Sequence, residues 1–137
     1  MNIVLDSSVI AKWYFKEENF QKARQILETH RLHLAQITVP VLLFFEIGNI
    51  FINKKIAARD KFARNIQDLY DVNLTVIEIN DLLLQLTFAI AAKYKLSFYD
   101  ATYVATAESL KCDFITADEK LVEKTKKLKF VKLLGQS

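Results

Sequence analysis

Glycine occurs twice and proline once in these 137 residues. That is too little for a flexible linker, a disordered tail or a glycine-rich loop cradling phosphate on bare backbone. The single cysteine, Cys112, excludes an internal disulfide framework and fits a reducing compartment. Histidine is nearly as scarce. His30 and His33 stand three apart at an expected helix end with no acid beside them, so they read as surface residues rather than zinc ligands. Long hydrophobic runs are missing too: the longest, VPVLLFF from Val39 to Phe45, falls far short of the roughly 18 residues that span a bilayer. The opening MNIVLD carries no basic export segment and reads as a first strand, so the expectation is a cytoplasmic protein without membrane contact.

What the chain does have is apolar material. A hydrophobic content of 52% is enough for one sizeable core, and a single domain over residues 1–137 is expected. The net charge of +3 is too mild to mark a nucleic-acid binder by itself. If four of the 16 acids were taken up by metal, 19 basic residues would face 12, and the remaining surface would be decidedly basic.

Segments of two periodicities alternate along the chain. NIVLD is a short apolar run suited to a strand buried on both faces, followed by a helix from about Ser7. A polar helix is expected over Glu18 to His30, then the β-branched strand AQITVP. The next helix, VLLFFEIGNIFINKK, is apolar almost all round and should be a buried layer. Then come a charged helix from about Arg59 to Tyr70, the strand LTVIEI and a helix from Asp81 to Tyr94. A helix opened by Asp100, the strand CDFIT, a helix from Asp118 to Leu128 and the strand FVKLL complete the order. Strands alternating with helices imply crossover connections and hence an α/β three-layer sandwich around a central, mostly parallel sheet.

Such sheets bind ligands beyond the carboxyl ends of their strands. Asp6 ends the first strand and Asp118 lies just past CDFIT, so both belong to that edge. Each acid, like Asp100, also suits a helix N-cap, and cap and ligand are compatible roles. Glu46 differs, because it sits within an apolar helix, where an unpaired carboxylate costs several kcal/mol. Lys54 and Lys55 lie two turns or more away, so a base from elsewhere in the fold or a metal must balance it. Four acids meeting in one crevice, without histidine or cysteine, select Mg²⁺ or Mn²⁺ over zinc or copper. Such a site polarises a phosphodiester and activates water.

VLDSSVIA around Asp6, PVLLFFEIGN around Glu46, FYDATYVATA around Asp100 and FITADEKL around Asp118 resemble the four acidic motifs of the PIN domain family, in order and over essentially the whole chain. The likeness is greatest to the VapC toxins of toxin–antitoxin modules. It implies a Mg²⁺- or Mn²⁺-dependent endoribonuclease with Asp6, Glu46, Asp100 and Asp118 as catalytic metal ligands, and Ser8 and Thr116 supporting the acids or a metal-bound water. It also implies an RNA substrate, a cognate antitoxin protein and a homodimer. The alternatives are a PIN-type RNA-processing nuclease without an antitoxin and a non-catalytic binding module.

Other residues carry weaker signals. Lys54, Lys55 and Arg59, and the five lysines of KTKKLKFVK, are candidate phosphate contacts or simply solvated faces. Cys112 reads as a small buried apolar residue rather than a nucleophile. Trp13, Tyr14, Phe15, Phe44 and Phe45 read as core or subunit interface. Phosphoryl transfer through Asp6 as nucleophile is disfavoured, because Ser8 stands where that pattern wants a second aspartate.

Overall fold

The computed structural model describes residues 1–136. Five strands make one sheet: β1 (Asn2–Leu5), β2 (Gln36–Pro40), β3 (Thr75–Ile77), β4 (Asp113–Thr116) and β5 (Val131–Leu133). Their order is β3-β2-β1-β4-β5 and every pairing is parallel. Eight helices connect them: α1 (Ser7–Ile10), α2 (Phe20–Arg31), α3 (Leu42–Ile52), α4 (Ile56–Arg59), α5 (Phe62–Asp71), α6 (Asp81–Tyr94), α7 (Phe98–Leu110) and α8 (Glu119–Lys124). The three-layer α/β sandwich expected from the alternating pattern is the fold observed.

Strand alternation splits the core in two. Leu5, Ile37 and Val39 face one side, packing with Val9, Ile10, Leu27, Leu43 and Phe51. Val4 and Phe114 face the other, packing with Ala101, Val104 and Ala105 of α7 and with Leu121. In α7 every residue from Ala101 to Ala107 is buried, and the small side chains of ATYVATA let this helix lie close on β1, β2 and β4. Because β1 is central, chain departs from it to β2 on one side and returns to β4 on the other, which creates a switch point between β1 and β4. The register pairs Leu5 with Ile115, so Asp6 and Thr116 emerge side by side.

Several expectations are corrected. His30 is buried, not on the surface: its Nδ1 accepts from Ile37 N–H (3.1 Å) and its Nε2 lies 3.0 Å from the Val72 carbonyl, tying α2 to β2 and to the end of α5. His33 is exposed, as expected. The helix α3 is not covered all round: Leu43, Ile47 and Phe51 are buried, whereas Phe45 is 78% exposed. The helix expected from about Arg59 to Tyr70 is α5, which begins three residues later, and a short helix that was not expected, α4, precedes it. Cys112 is half-buried, one residue ahead of β4, and burial together with Asp113 raises its thiol pKa, which suppresses the reactive thiolate. Trp13 is buried with its indole N–H donating to the Ala23 carbonyl (2.9 Å), and Phe15 packs on Phe51.

Candidate active site

Asp6 follows β1 directly and caps α1, accepting at Oδ1 from the N–H groups of Ser8 (3.1 Å) and Val9 (3.3 Å). Two hydroxyls complete its surroundings. Ser8 Oγ donates to Oδ1 (2.5 Å) and Thr116 Oγ1 donates to Oδ2 (2.6 Å). Each hydroxyl also accepts a backbone N–H from the turn after β4, Ser8 from Ala117 (2.9 Å) and Thr116 from Asp118 (3.1 Å). The two small residues therefore clamp the turn that carries Asp118 onto Asp6.

Asp118 caps α8, accepting from Lys120 and Leu121 N–H groups (3.0 and 3.2 Å), and its side chain stays open to solvent. Asp100 does not open α7. Ser97 is the cap, and its hydroxyl accepts from the Asp100 N–H (3.0 Å), leaving Asp100 in the first turn of that helix. Glu46, half-buried on α3, receives the Tyr103 hydroxyl at 2.6 Å and the Ser7 hydroxyl at 3.3 Å on the same oxygen.

Of the two expected ways to balance Glu46, the fold brings no base to it among the described residues, and hydroxyls hold one of its oxygens. Among the described residues, none of the four acids forms an ion pair with a lysine, arginine or histidine. Their protonation records that lack. Burial above all pushes the Asp6 carboxyl up to about 6, against the pull of Ser8, Thr116 and the Val9 N–H, and Glu46 adds to the rise. Burial and the charge of Asp100 hold Glu46 above the usual range; burial and Asp118 do the same to Asp100. The Tyr103 hydroxyl, buried beside Glu46, is driven far above its ordinary value and stays a donor. The acids thus act on one another in a series, Asp6 to Glu46 to Asp100 to Asp118.

Sequence reasoning missed Ser7, Ser97 and Tyr103. Ser97 stands three residues before Asp100, the hydroxyl-x-x-acid spacing of a helix start, and Tyr103 lies one turn after Asp100 on the same face. The basic trio has other surroundings. Lys54 pairs with Glu17 (3.4 Å) and lies 4.6 Å from the centre of the Phe15 ring. Lys55 precedes α4, and Arg59 lines a groove with Gly48, Phe51, Ile56 and Asp60.

An all-oxygen set fits a hard divalent ion. Among the described residues no three acidic, histidine or cysteine side chains form a finished cage. Mg²⁺ is met in that way, through one or two carboxylates with water and phosphate oxygens filling the remaining positions. A buried Asp6 with both oxygens hydrogen-bonded is poorly presented as a nucleophile, which disfavours the aspartyl-phosphate alternative.

Comparison with known proteins fits this geometry. The sequence pattern of the PIN domain matches residues 3–127. Ribonuclease VapC3 of Pyrobaculum aerophilum is 27% identical over 130 residues, covering 90% of this chain and 95% of its own. The crystal structure of PAE2754, also from Pyrobaculum aerophilum, superposes with a TM-score of 0.71 at 20% identity, covering 98% of this chain and 90% of that one. A toxin–antitoxin complex from Klebsiella pneumoniae gives a TM-score of 0.63 at 19% identity, covering 88% of this chain and 89% of that one.

Proposed function

This chain belongs to the PIN domain family, and from that premise we propose that it is a Mg²⁺- or Mn²⁺-dependent endoribonuclease, the toxin of a toxin–antitoxin pair. One observation carries the proposal: a series of four carboxylates at the carboxyl edge of a parallel sheet, none of them in an ion pair with a base among the described residues. The similarity to a ribonuclease of the VapC type and to the chain of a toxin–antitoxin complex supports the substrate and the partner. Among the described residues no helix is long and apolar enough to cross a membrane, and a cytoplasmic RNA target is part of the proposal.

In this proposal Asp6, Asp100 and Asp118 would hold the principal ion, directly or through its water shell, and Glu46 would bind or orient its water. A bound divalent ion supplies a water of lowered pKa and neutralises charge at the scissile phosphate. Ser8 and Thr116 fix both oxygens of Asp6, and Oδ2, with a single donor, is the one that keeps a lone pair free. Tyr103 and Ser7 do the same for one oxygen of Glu46 and leave the other available. Lys54, Lys55 and Arg59 are RNA contacts in this proposal, Lys54 the least available because of Glu17. A cognate antitoxin and a second copy of the chain are the proposed protein partners.

The test is RNA cleavage by purified protein. Activity should appear with Mg²⁺ or Mn²⁺ and vanish in EDTA, and Asp6→Asn and Asp100→Asn should each reduce it to background. Metal-dependent cleavage that survives either substitution would remove the assignment. A short neighbouring gene for a DNA-binding antitoxin separates the toxin from an RNA-processing nuclease of the same fold.

A further inference from the structure

Beyond the acids, the molecule has a second charged feature, of the opposite sign. The C-terminal end of α6 and the α8 region meet in a cleft of about 300 Å³ lined by Lys93, Tyr94, Lys95, Lys124, Lys126 and Lys127. Five of these six residues are lysines, drawn from two segments some thirty positions apart in sequence, and no acidic side chain lines the cleft. Among the described residues only Lys126 has an ion-pair partner, Glu123 at 3.4 Å, and that pair is exposed and worth little.

The cleft is built rather than incidental. Lys95 closes α6 in the left-handed conformation (φ 56°), and its carbonyl accepts from Lys124 Nζ (3.1 Å), joining the two segments. Lys93 lies 5.5 Å from the centre of the Tyr94 ring. Five exposed lysines gathered in one cleft, with one of them paired to a carboxylate among the described residues, make a local positive field that favours an anion there. The cleft also adjoins the acids. Four residues separate Lys95 from Asp100, and the charge of Lys124 reaches the Asp100 carboxyl.

We propose that this lysine cleft binds the phosphodiester backbone of an RNA strand and leads it to Asp100. The proposal rests on the nuclease reading of the four acids. Lysines act as point charges toward phosphate, which positions a strand without reading its bases. An acidic protein partner would want apolar anchors, and Tyr94 is the one large ring in the cleft. The acids repel the same phosphates, so a neighbouring cationic track is what brings a polyanion up to a negative site.

Binding of a labelled oligouridylate, followed by fluorescence anisotropy in EDTA across a salt series, tests the cleft. Three proteins are compared: the unaltered chain, Lys93→Gln/Lys126→Gln/Lys127→Gln, and Lys54→Gln/Lys55→Gln/Arg59→Gln. Each phosphate contact on a single strand contributes about 0.7 to the slope of log affinity against log salt, so the cleft variant should be shallower by about 2. The other variant should change it less. An unaltered slope and affinity in the cleft variant would overturn the proposal. So would an oligoglutamate of equal charge that binds as tightly as the RNA with the same lysine dependence, since the cleft would then be a protein site. The assay contains no divalent ion and reads no cleavage, so its failure is separate from failure of the Asp6→Asn and Asp100→Asn experiment.

Discussion

Four donors and no cation surround Asp6, and that imbalance has a pH signature. The folded protein holds the Asp6 proton up to about pH 6, whereas the ordinary carboxyl releases it near 3.8. The native state therefore binds the proton more tightly, and its stability falls as pH rises through that window. The upward shift corresponds to about 3 kcal/mol lost above pH 6, as an order of magnitude. Glu46 and Asp100, also raised, change stability in the same direction. We expect the unfolding free energy in EDTA to drop between pH 4.5 and 7.5. Asp6→Asn should flatten the drop and make the protein more resistant to urea at the upper pH. A pH dependence identical in the two proteins would contradict the burial of an unbalanced charge. At this scale the sequence was informative where a residue broke its local pattern, as Glu46 does in an apolar helix. It misplaced His30 at the surface, because its partners Ile37 and Val72 come from elements that only the fold brings near.

Among the elements, the junction of β4 with α8 does most to arrange the site. Thr116 ends the strand, and its hydroxyl both donates to Asp6 and accepts the N–H that begins the turn to Asp118. Thr116→Val keeps the shape and removes both bonds, leaving a buried carboxylate oxygen and a backbone N–H without that partner. The expected loss is about 1–3 kcal/mol in urea unfolding, together with a large fall in RNA cleavage. A stable but inactive variant would show that the hydroxyl orients Asp6 without holding the fold together; a variant unchanged in both respects would show that the clamp is immaterial. Strand positions were readable from short apolar, β-branched runs, which hold both for the buried β2 and for the more exposed edge strand β3. Helix limits were less so. Asp100 looked like a cap, whereas Ser97 fills that role. Composition showed how apolar α3 is, but not what would cover Phe45.

For the molecule as a whole, the alternation of strands and helices was enough to give a parallel three-layer fold, but not the strand order that puts β1 at the centre. That order brings residues 6 and 116 together, and with them an excess of negative charge that the proposed divalent ion would relieve. Mg²⁺ or Mn²⁺ at pH 8 should therefore raise the melting temperature. At one hundred times its dissociation constant, an ion that binds only the folded state contributes about 2.7 kcal/mol. The rise should be lost in Asp100→Asn, and an equal rise in that variant would assign the ion to another place on the surface.

The clamp of Ser8 and Thr116 on Asp6 also sets the order in which the protein comes to life. Its two halves lie 108 and 110 positions apart along the chain. During synthesis β1, α2 and β2 emerge early, but the central strand lacks its β4 neighbour until nearly all the intervening chain exists, and contacts over such separations close late. Until then Asp6 has no second hydroxyl and Asp118 no fixed place. If the chain is the proposed ribonuclease, this topology would keep its acids unassembled while it is still attached to the RNA that encodes it.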